Sequence, residues 1–291
     1  MASPRRPKTP RAASARFAQA RDELGSLAST IEAIAGEIGA RGPGELQALD
    51  RRLRIGRSLQ RWERESAALA AALQARRRAF TQSQLRSLGL GSAADHGLKL
   101  HLGAAGSSLP GWVSIDYWPA DLAMDLRWGL PFARGSAELV YLCHALEHFY
   151  YPQEALAVMQ DVHRVLGRGG IARIVVPDIG ACLRAYVRND RRFFAARRAF
   201  WPWWPKNLTR LEDFLRYAGV GASPDSFTSS HKFGYDFETL RRLLRRAGFR
   251  RIERSAYMRS RRHELRIDNA SRVAGARYGN RYYSLFVEAR A

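Results

Sequence analysis

Three residues of the stretch HALEHF could handle a proton. His144, Glu147 and His148 follow an apolar run that ends at Cys143. The two histidines are four apart, so on a helix they share one face. Imidazole changes charge near neutral pH, which suits His148 to the role of general base. A capping or structural histidine is the competing reading of that position. A second histidine, His231, opens the segment HKFGYD with Tyr235 four residues on. His231 is a second candidate base or a substrate contact, and Tyr235 a substrate contact. A metal reading of His144 and His148 fails at this level: the glutamate does not follow the first histidine directly, as it does in the zinc-protease helix, and no further ligand is near in sequence.

Upstream, LHLGAAGSSLPGWVSID joins two apolar runs through glycines. Gly103 and Gly106 permit positive φ and let backbone approach a ligand closely, with Ala104 and Ala105 keeping the loop small. Asp116 closes the next run, where a carboxylate can accept two ribose hydroxyls as acidic residues do in dinucleotide folds. Asp125, in DLAMDLRWGLPF, is suited to accept from an adenine amino group, with Leu126 beside the ring; a turn or cap residue is the alternative.

A different chemistry gathers after Ala181. Arg184, Arg188, Arg191, Arg192, Arg197 and Arg198 precede the run from Phe200 to Pro205, which includes Trp203. Arginine forks pair with phosphate or carboxylate, and aromatic faces stack on sugars, bases or cations. Residues 181–230 therefore read as an Arg/Trp-rich insert over an anionic substrate, with Arg184 and Trp203 as contacts. The competing reading packs these aromatics on the core. The 291 residues carry 48 Lys+Arg against 27 Asp+Glu, a formal net charge of +21. That balance admits an anionic small molecule or glycan, a nucleic acid or the surface of an anionic membrane as partner.

Positioning such residues requires a scaffold, and the apolar periodicity supplies one. Short runs at Leu98–Leu102, Trp112–Ile115, Leu139–Cys143 and Ile171–Val176 alternate with helical stretches, one of them from about Pro152 to Leu166. Alternating strands and helices predict a mostly parallel sheet with helices on both faces, an α/β fold of Rossmann type. Ligands bind at the carboxyl ends of such strands, and these runs end at Gly103, Asp116, His144 and Asp178. The connection from Gly103 to Trp112 is short for a crossover helix, so we expect at most one helical turn there.

The region before this domain differs. Residues 1–15 are basic and rich in Pro and Ser, which predicts a disordered tail. Over 16–90, Leu24, Leu27, Ile31, Ile34 and Ile38 form a heptad-like stripe. Gly42-Pro43-Gly44 interrupts it, and a second stripe follows through Leu69 and Leu73. A helical hairpin, or a coiled coil that joins two copies of the chain, fits this pattern. Two cysteines, Cys143 and Cys182, are too few for a disulfide framework and read as small core residues. No apolar run approaches the roughly 18 residues of a membrane span, and no secretory leader is evident, so a cytoplasmic protein is expected.

Taken together, LHLGAAG, GWVSID, LPF, HALEH, RVLGRGG and VVPD resemble the class I S-adenosylmethionine-dependent methyltransferases. More narrowly, they are similar to the type-11-like group often associated with surface-polysaccharide biosynthesis. The resemblance spans about residues 97–289, within a domain placed at 95–291. It implies S-adenosylmethionine as cofactor. It puts Gly103, Ala104, Ala105 and Gly106 under the methionine part, Asp116 on the ribose, and Asp125 and Leu126 at the adenine. It also puts His144, Ala145 and Leu146 beside the transferred methyl. The group's usual Gly-Cys-Gly is Gly103-Ala104-Ala105-Gly106 here.

Methyl transfer to oxygen or nitrogen of an anionic glycan, sugar nucleotide or glycolipid precursor is the expected activity. An RNA or DNA methyltransferase is the first alternative, motivated by the charge; the absence of an aromatic-ended Asp/Asn-Pro-Pro tetrapeptide after the fourth strand counts against base amino groups. A catalytically idle cofactor-binding module that serves assembly through its helical arm is the second, motivated by the altered glycine loop.

Overall fold

The computed structural model describes residues 55–91, 95–117, 119–201, 205, 207–218 and 230–291. The chain divides into two compact units, 1–75 and 76–291. The first helix, α1 (Ile55–Ser87), runs from one unit into the other. In the first unit its described residues carry the exposed side chains of Leu69 and Leu73. The tail, the first stripe and the Gly-Pro break expected before it lie outside the described residues.

The second unit begins at Arg76, fourteen residues before the end expected for the arm. The reason is local. Leu85 is fully buried in the core of the α/β unit. The Gln84 amide brackets Ala123, donating to its carbonyl at 3.1 Å and accepting from its N–H at 2.7 Å. Ala123 lies on an edge strand, whose open backbone groups need a partner. The last turns of the arm helix are thus part of the α/β unit.

That unit is built on a seven-stranded sheet in the order β3-β2-β1-β4-β5-β9-β6. The strands are β1 (Leu98–Leu102), β2 (Val113–Asp116), β3 (Leu122–Ala123), β4 (Ala137–Cys143), β5 (Leu166–Pro177), β6 (Arg251–Arg254) and β9 (Ser284–Arg290), with a separate hairpin of β7 (Arg277–Tyr278) and β8 (Arg281–Tyr282). Strands β3 to β5 pair in parallel, whereas β9 is antiparallel to both β5 and β6. This is the Rossmann-like, mostly parallel sheet the sequence predicts. Central strands covered on both faces read as continuous apolar runs, and Leu139–Leu142 and Ala172–Val176 are buried throughout.

Arg173 breaks the apolar run of β5 and is fully buried. Its guanidinium is saturated: Nε and Nη2 donate to the two Asp268 oxygens at 2.9 and 2.6 Å, Nη1 to Glu288 at 2.8 Å and to the Arg259 carbonyl, and Nη2 to the Ala256 carbonyl. A buried charge survives only when paired and hydrogen-bonded in this way.

Helix α2 (Gln153–Val165) crosses between β4 and β5 and buries Ala155, Val158, Met159 and Val162. The link from Gly103 to Trp112 forms turns and no helix, as its length requires. Helices α3 (Ile179–Val187), α4 (Arg191–Phe200) and α5 (Arg210–Ala218) supply a smaller second core, in which Phe193, Phe194 and Trp201 pack with Tyr217 and Tyr283. The described aromatics of the insert are therefore mostly structural, and Arg197 is buried against Asp213. Helix α6 (Phe237–Arg246) is capped by Asp236, whose carboxylate accepts from Thr239 N–H at 2.8 Å. Cys143 and Cys182 are buried free thiols, pushed up to about 11 and about 12 by burial. Among the described residues no helix is long and apolar enough to cross a membrane.

Candidate active site

The strand order reverses at β1, which lies between β2 and β4. In doubly wound sheets a crevice opens at that point, at the carboxyl ends of the strands. A cavity of about 410 Å³ lies there, lined by Gly103, Ala105, Asp116, Asp125, His144 and His148, among others. Its size is within the range of small-molecule sites.

The loop after β1 is fixed from two sides. Gly103 has φ +68°, and its N–H donates to the Ile115 carbonyl at 2.8 Å. A methyl group added at Gly103 would collide with the Ala145 side chain, so the loops after β1 and β4 touch where only glycine fits. Ala105 also holds a positive φ of 47°, a conformation costly for a residue with a Cβ. Asp116 stabilises it: one carboxylate oxygen accepts from Ala105 N–H at 2.7 Å and the other from Tyr117 N–H at 2.6 Å. A carboxylate offers about four lone-pair sites, so this half-buried group retains acceptor capacity toward the cavity.

Asp125 departs from expectation. Its carboxylate caps a short 3₁₀ turn by accepting from Arg127 N–H, takes the Arg127 guanidinium at 2.7–3.0 Å, and accepts from the Tyr117 hydroxyl at 3.1 Å. The acceptor expected to face an adenine amino group is thus occupied by Arg127 and Tyr117. Leu126 lines the cavity as expected.

The loop after β4 carries three groups that can hold a proton, His144, Glu147 and His148. His144 sits at φ +51°, with Nε2 2.9 Å from Ser284 Oγ and Nδ1 3.1 Å from Glu147 Oε1. Glu147 is fully buried, and neither carboxylate oxygen has a well-aligned hydrogen bond among the described residues. Burial alone would raise its carboxyl, but the facing imidazoles, His144 first and then His148 and His231, outweigh it and hold the group below the usual carboxylate range. His231 Nε2 lies 3.9 Å from Glu147 Oε1, and the His148 and His231 rings meet edge to face at 5.1 Å. Burial lowers the His231 imidazole, with Glu147 opposing.

Of the residues singled out by sequence, Gly103, Ala105, Asp116, Asp125, Leu126, His144, Ala145 and His148 line the one cavity. Ala104 and Leu146 are buried and do not line it, and Gly106 stands at the turn beside Pro119. Tyr235 is corrected: it is fully buried, meets the Tyr151 and Phe233 rings edge to face, and pairs by its backbone with Asp178 and Ile179, so it builds the core and cannot touch a substrate in this arrangement. Arg184 lines a separate cavity of about 290 Å³ with Asp178, Arg188, Arg254 and Arg281. Trp203 lies outside the described residues. The sequence reading missed Tyr117, Arg127, Phe149 and Lys232, which also line the first cavity. Phe149 and Lys232 each follow a singled-out histidine directly, which was the available signal.

A mostly parallel sheet with its last strand reversed, a glycine loop after β1 and an acid ending β2 define a Rossmann-like methyltransferase domain. Residues 105–174 match the family model described as a methyltransferase domain. The chain is an S-adenosylmethionine-dependent methyltransferase. Among solved structures it is similar to a possible histamine N-methyltransferase of Thermotoga maritima, at 13% identity over 72% of this chain and 88% of that one, with a TM-score of 0.36. It is also similar to a methyltransferase of Archaeoglobus fulgidus, at 12% identity over 76% and 93%, with a TM-score of 0.38. A third is a methyltransferase described as putative, from Bacillus halodurans, at 13% identity over 72% and 97%, with a TM-score of 0.34. No curated protein matches the sequence.

Proposed function

We propose that this enzyme methylates an oxygen or nitrogen of an anionic acceptor, of the class of a glycan, sugar nucleotide or glycolipid precursor. The observation that carries the anionic part is the joint between the two cavities. His144 lines the first, Ser284 lines the second, and their side chains meet at 2.9 Å. Four arginines face the second cavity against Asp178 alone, and Arg184 and Arg188 have no ion pair to a described residue. The glycan part rests on the sequence resemblance.

The residues of the first cavity suit the cofactor. Asp116 offers lone pairs fitted to vicinal ribose hydroxyls. The small residues Gly103 and Ala105, with Ala145 opposite, leave room for a methionine chain at the strand ends. The bound cofactor supplies a methyl group already activated by the sulfonium charge. What remains for the protein is mostly orientation and exclusion of water. Removal of the acceptor's proton falls to the lone pairs of His148, which lines the cavity, and of His231 behind it. The second arginine-lined cavity orients the anionic end of the acceptor.

The test incubates the protein with methyl-labelled S-adenosylmethionine and fractionated cell extract. Label is expected in an anionic, nuclease-resistant fraction, with transfer falling at least tenfold in Arg184→Glu/Arg188→Glu. Label that disappears with nuclease treatment would select the nucleic-acid alternative. Absence of any transfer alongside intact cofactor binding would select the idle module.

A further inference from the structure

We propose that Glu147, His148 and His231 form a binding site for a divalent first-row transition-metal ion beside the cofactor cavity. One ring nitrogen from each histidine and one carboxylate oxygen lie within 4.8 Å of one another. Bonds of about 2.1 Å at tetrahedral angles need ligand atoms ~3.4 Å apart, so closing the triad takes small side-chain adjustments.

The hydrogen bonds behind the rings carry the argument. His148 Nδ1 lies 3.1 Å from the Ser230 carbonyl, and His231 Nδ1 lies 2.9 Å from the Tyr217 carbonyl. A carbonyl only accepts, so each Nδ1 bears a proton, and in the neutral imidazole each Nε2 then keeps a lone pair. Histidines that bind metal are held in this way, with the second ring nitrogen donating to a backbone carbonyl or a carboxylate. Glu147 completes the set. A fully buried carboxylate without an aligned donor is costly, and this one faces the two rings instead. The backbone holds the arrangement: the N–H groups of Lys232 and Phe233 both donate to the Glu147 carbonyl, at 2.7 and 3.2 Å. That clamp ties the loop after β4 to the segment carrying His231.

Two imidazoles and one carboxylate suit Zn(II), Fe(II), Co(II) or Mn(II) and leave further positions open. His144, 3.1 Å from Glu147 Oε1 and anchored to Ser284, orients the carboxylate from behind. Lys232 Nζ donates to the same Ser230 carbonyl as His148, at 3.0 Å. With the ion bound, the Nε2 lone pairs of His148 and His231 are its ligands and no longer act as base; because His148 also lines the cofactor cavity, the ion would instead take up an acceptor hydroxyl and ease the loss of its proton. That last step rests on the methyltransferase reading; the metal site does not.

The test uses the full chain stripped with chelator and titrated with cobalt(II) chloride. One equivalent is expected to bind, with visible ligand-field bands, and zinc(II) chloride should displace it. Glu147→Gln and His231→Gln should each weaken binding by ~100-fold or more, whereas His263→Gln, beside an exposed surface pair, should leave it unchanged. If those variants fail to fold by circular dichroism, X-ray absorption of the zinc-loaded native chain decides: two imidazoles and a carboxylate are expected. Absence of a stoichiometric site, unchanged affinity in both variants, or a shell without imidazole would overturn the proposal. Cobalt binding with no binding of S-adenosylmethionine would refute the methyltransferase reading and leave the metal site standing.

Discussion

His144 Nε2 rests 2.9 Å from Ser284 Oγ, which joins the loop after β4 to the first residue of β9. The contact brings a cavity edged by Asp116 and one edged by Arg184 and Arg188 to a common wall. His144 is held there in a left-handed conformation, φ +51°. Such strain persists only where surrounding contacts over-determine it, and here Ser284 and Glu147 are those contacts.

Asp116→Ala should abolish measurable binding of S-adenosylmethionine, or weaken it by at least ~30-fold. It removes the proposed ribose acceptor and both loop hydrogen bonds at once, each worth about 1.5–3 kcal/mol for a charged acceptor. Calorimetry with the cofactor reads the loss. Affinity within threefold of native would show that the carboxylate serves the loop alone.

Gly103→Ala should destabilise the α/β unit by about 1–3 kcal/mol, since it combines positive φ with a collision against Ala145. Adding Ala145→Gly should return the steric part and leave the conformational part. A double-mutant cycle on urea midpoints measures the two. Strict additivity would mean that the collision is relieved elsewhere.

Arg173 and Asp268 test the buried network. Asp268→Ala strands part of a guanidinium that has no access to water, and a loss of about 3–5 kcal/mol is expected. Arg173→Met in the same background should recover part of it, because a matched apolar side chain carries no desolvation cost. Thermal unfolding of the single and double variants would show the opposite order if the network is only decorative.

Stability should also fall in acid through His101. This side chain is buried on β1 against the Tyr141 ring, and burial lowers its imidazole to about 4, with Asp116 opposing. The unfolded chain, with an ordinary value near 6.5, takes up the proton first as pH falls. Its contribution is therefore intact above pH ~6.5 and lost between there and ~4, by at most ~3 kcal/mol. Urea midpoints across that range, compared between the native protein and His101→Phe, isolate it. Parallel profiles in the two proteins would rule the assignment out.

Much of this was legible in the sequence because it is local. Strand periodicity placed β1, β2, β4 and β5 to within a few residues, except that β5 begins at Leu166, five residues earlier than its apolar stretch. Glycine before a short link, and an acid at a strand end, located Gly103 and Asp116. What escaped depends on partners distant in the chain. His231 reaches Glu147 only after the chain folds back, so the pair His144 and His148 looked incomplete. Asp125 looked available because nothing in the sequence says that Arg127, two residues on, turns back onto it. Tyr235 carried a hydroxyl in a polar segment, yet its ring enters an aromatic cluster that tertiary packing alone creates.

The contact of Gly103 with Ala145 also bears on how such a site can diversify. Neither position can grow unless the other yields, and Gly103 is further bound by its left-handed backbone. A substitution on this wall is therefore coupled across two loops, whereas Tyr117, Arg127, Phe149 and Lys232 line the same cavity and take no part in the contact that those two positions share.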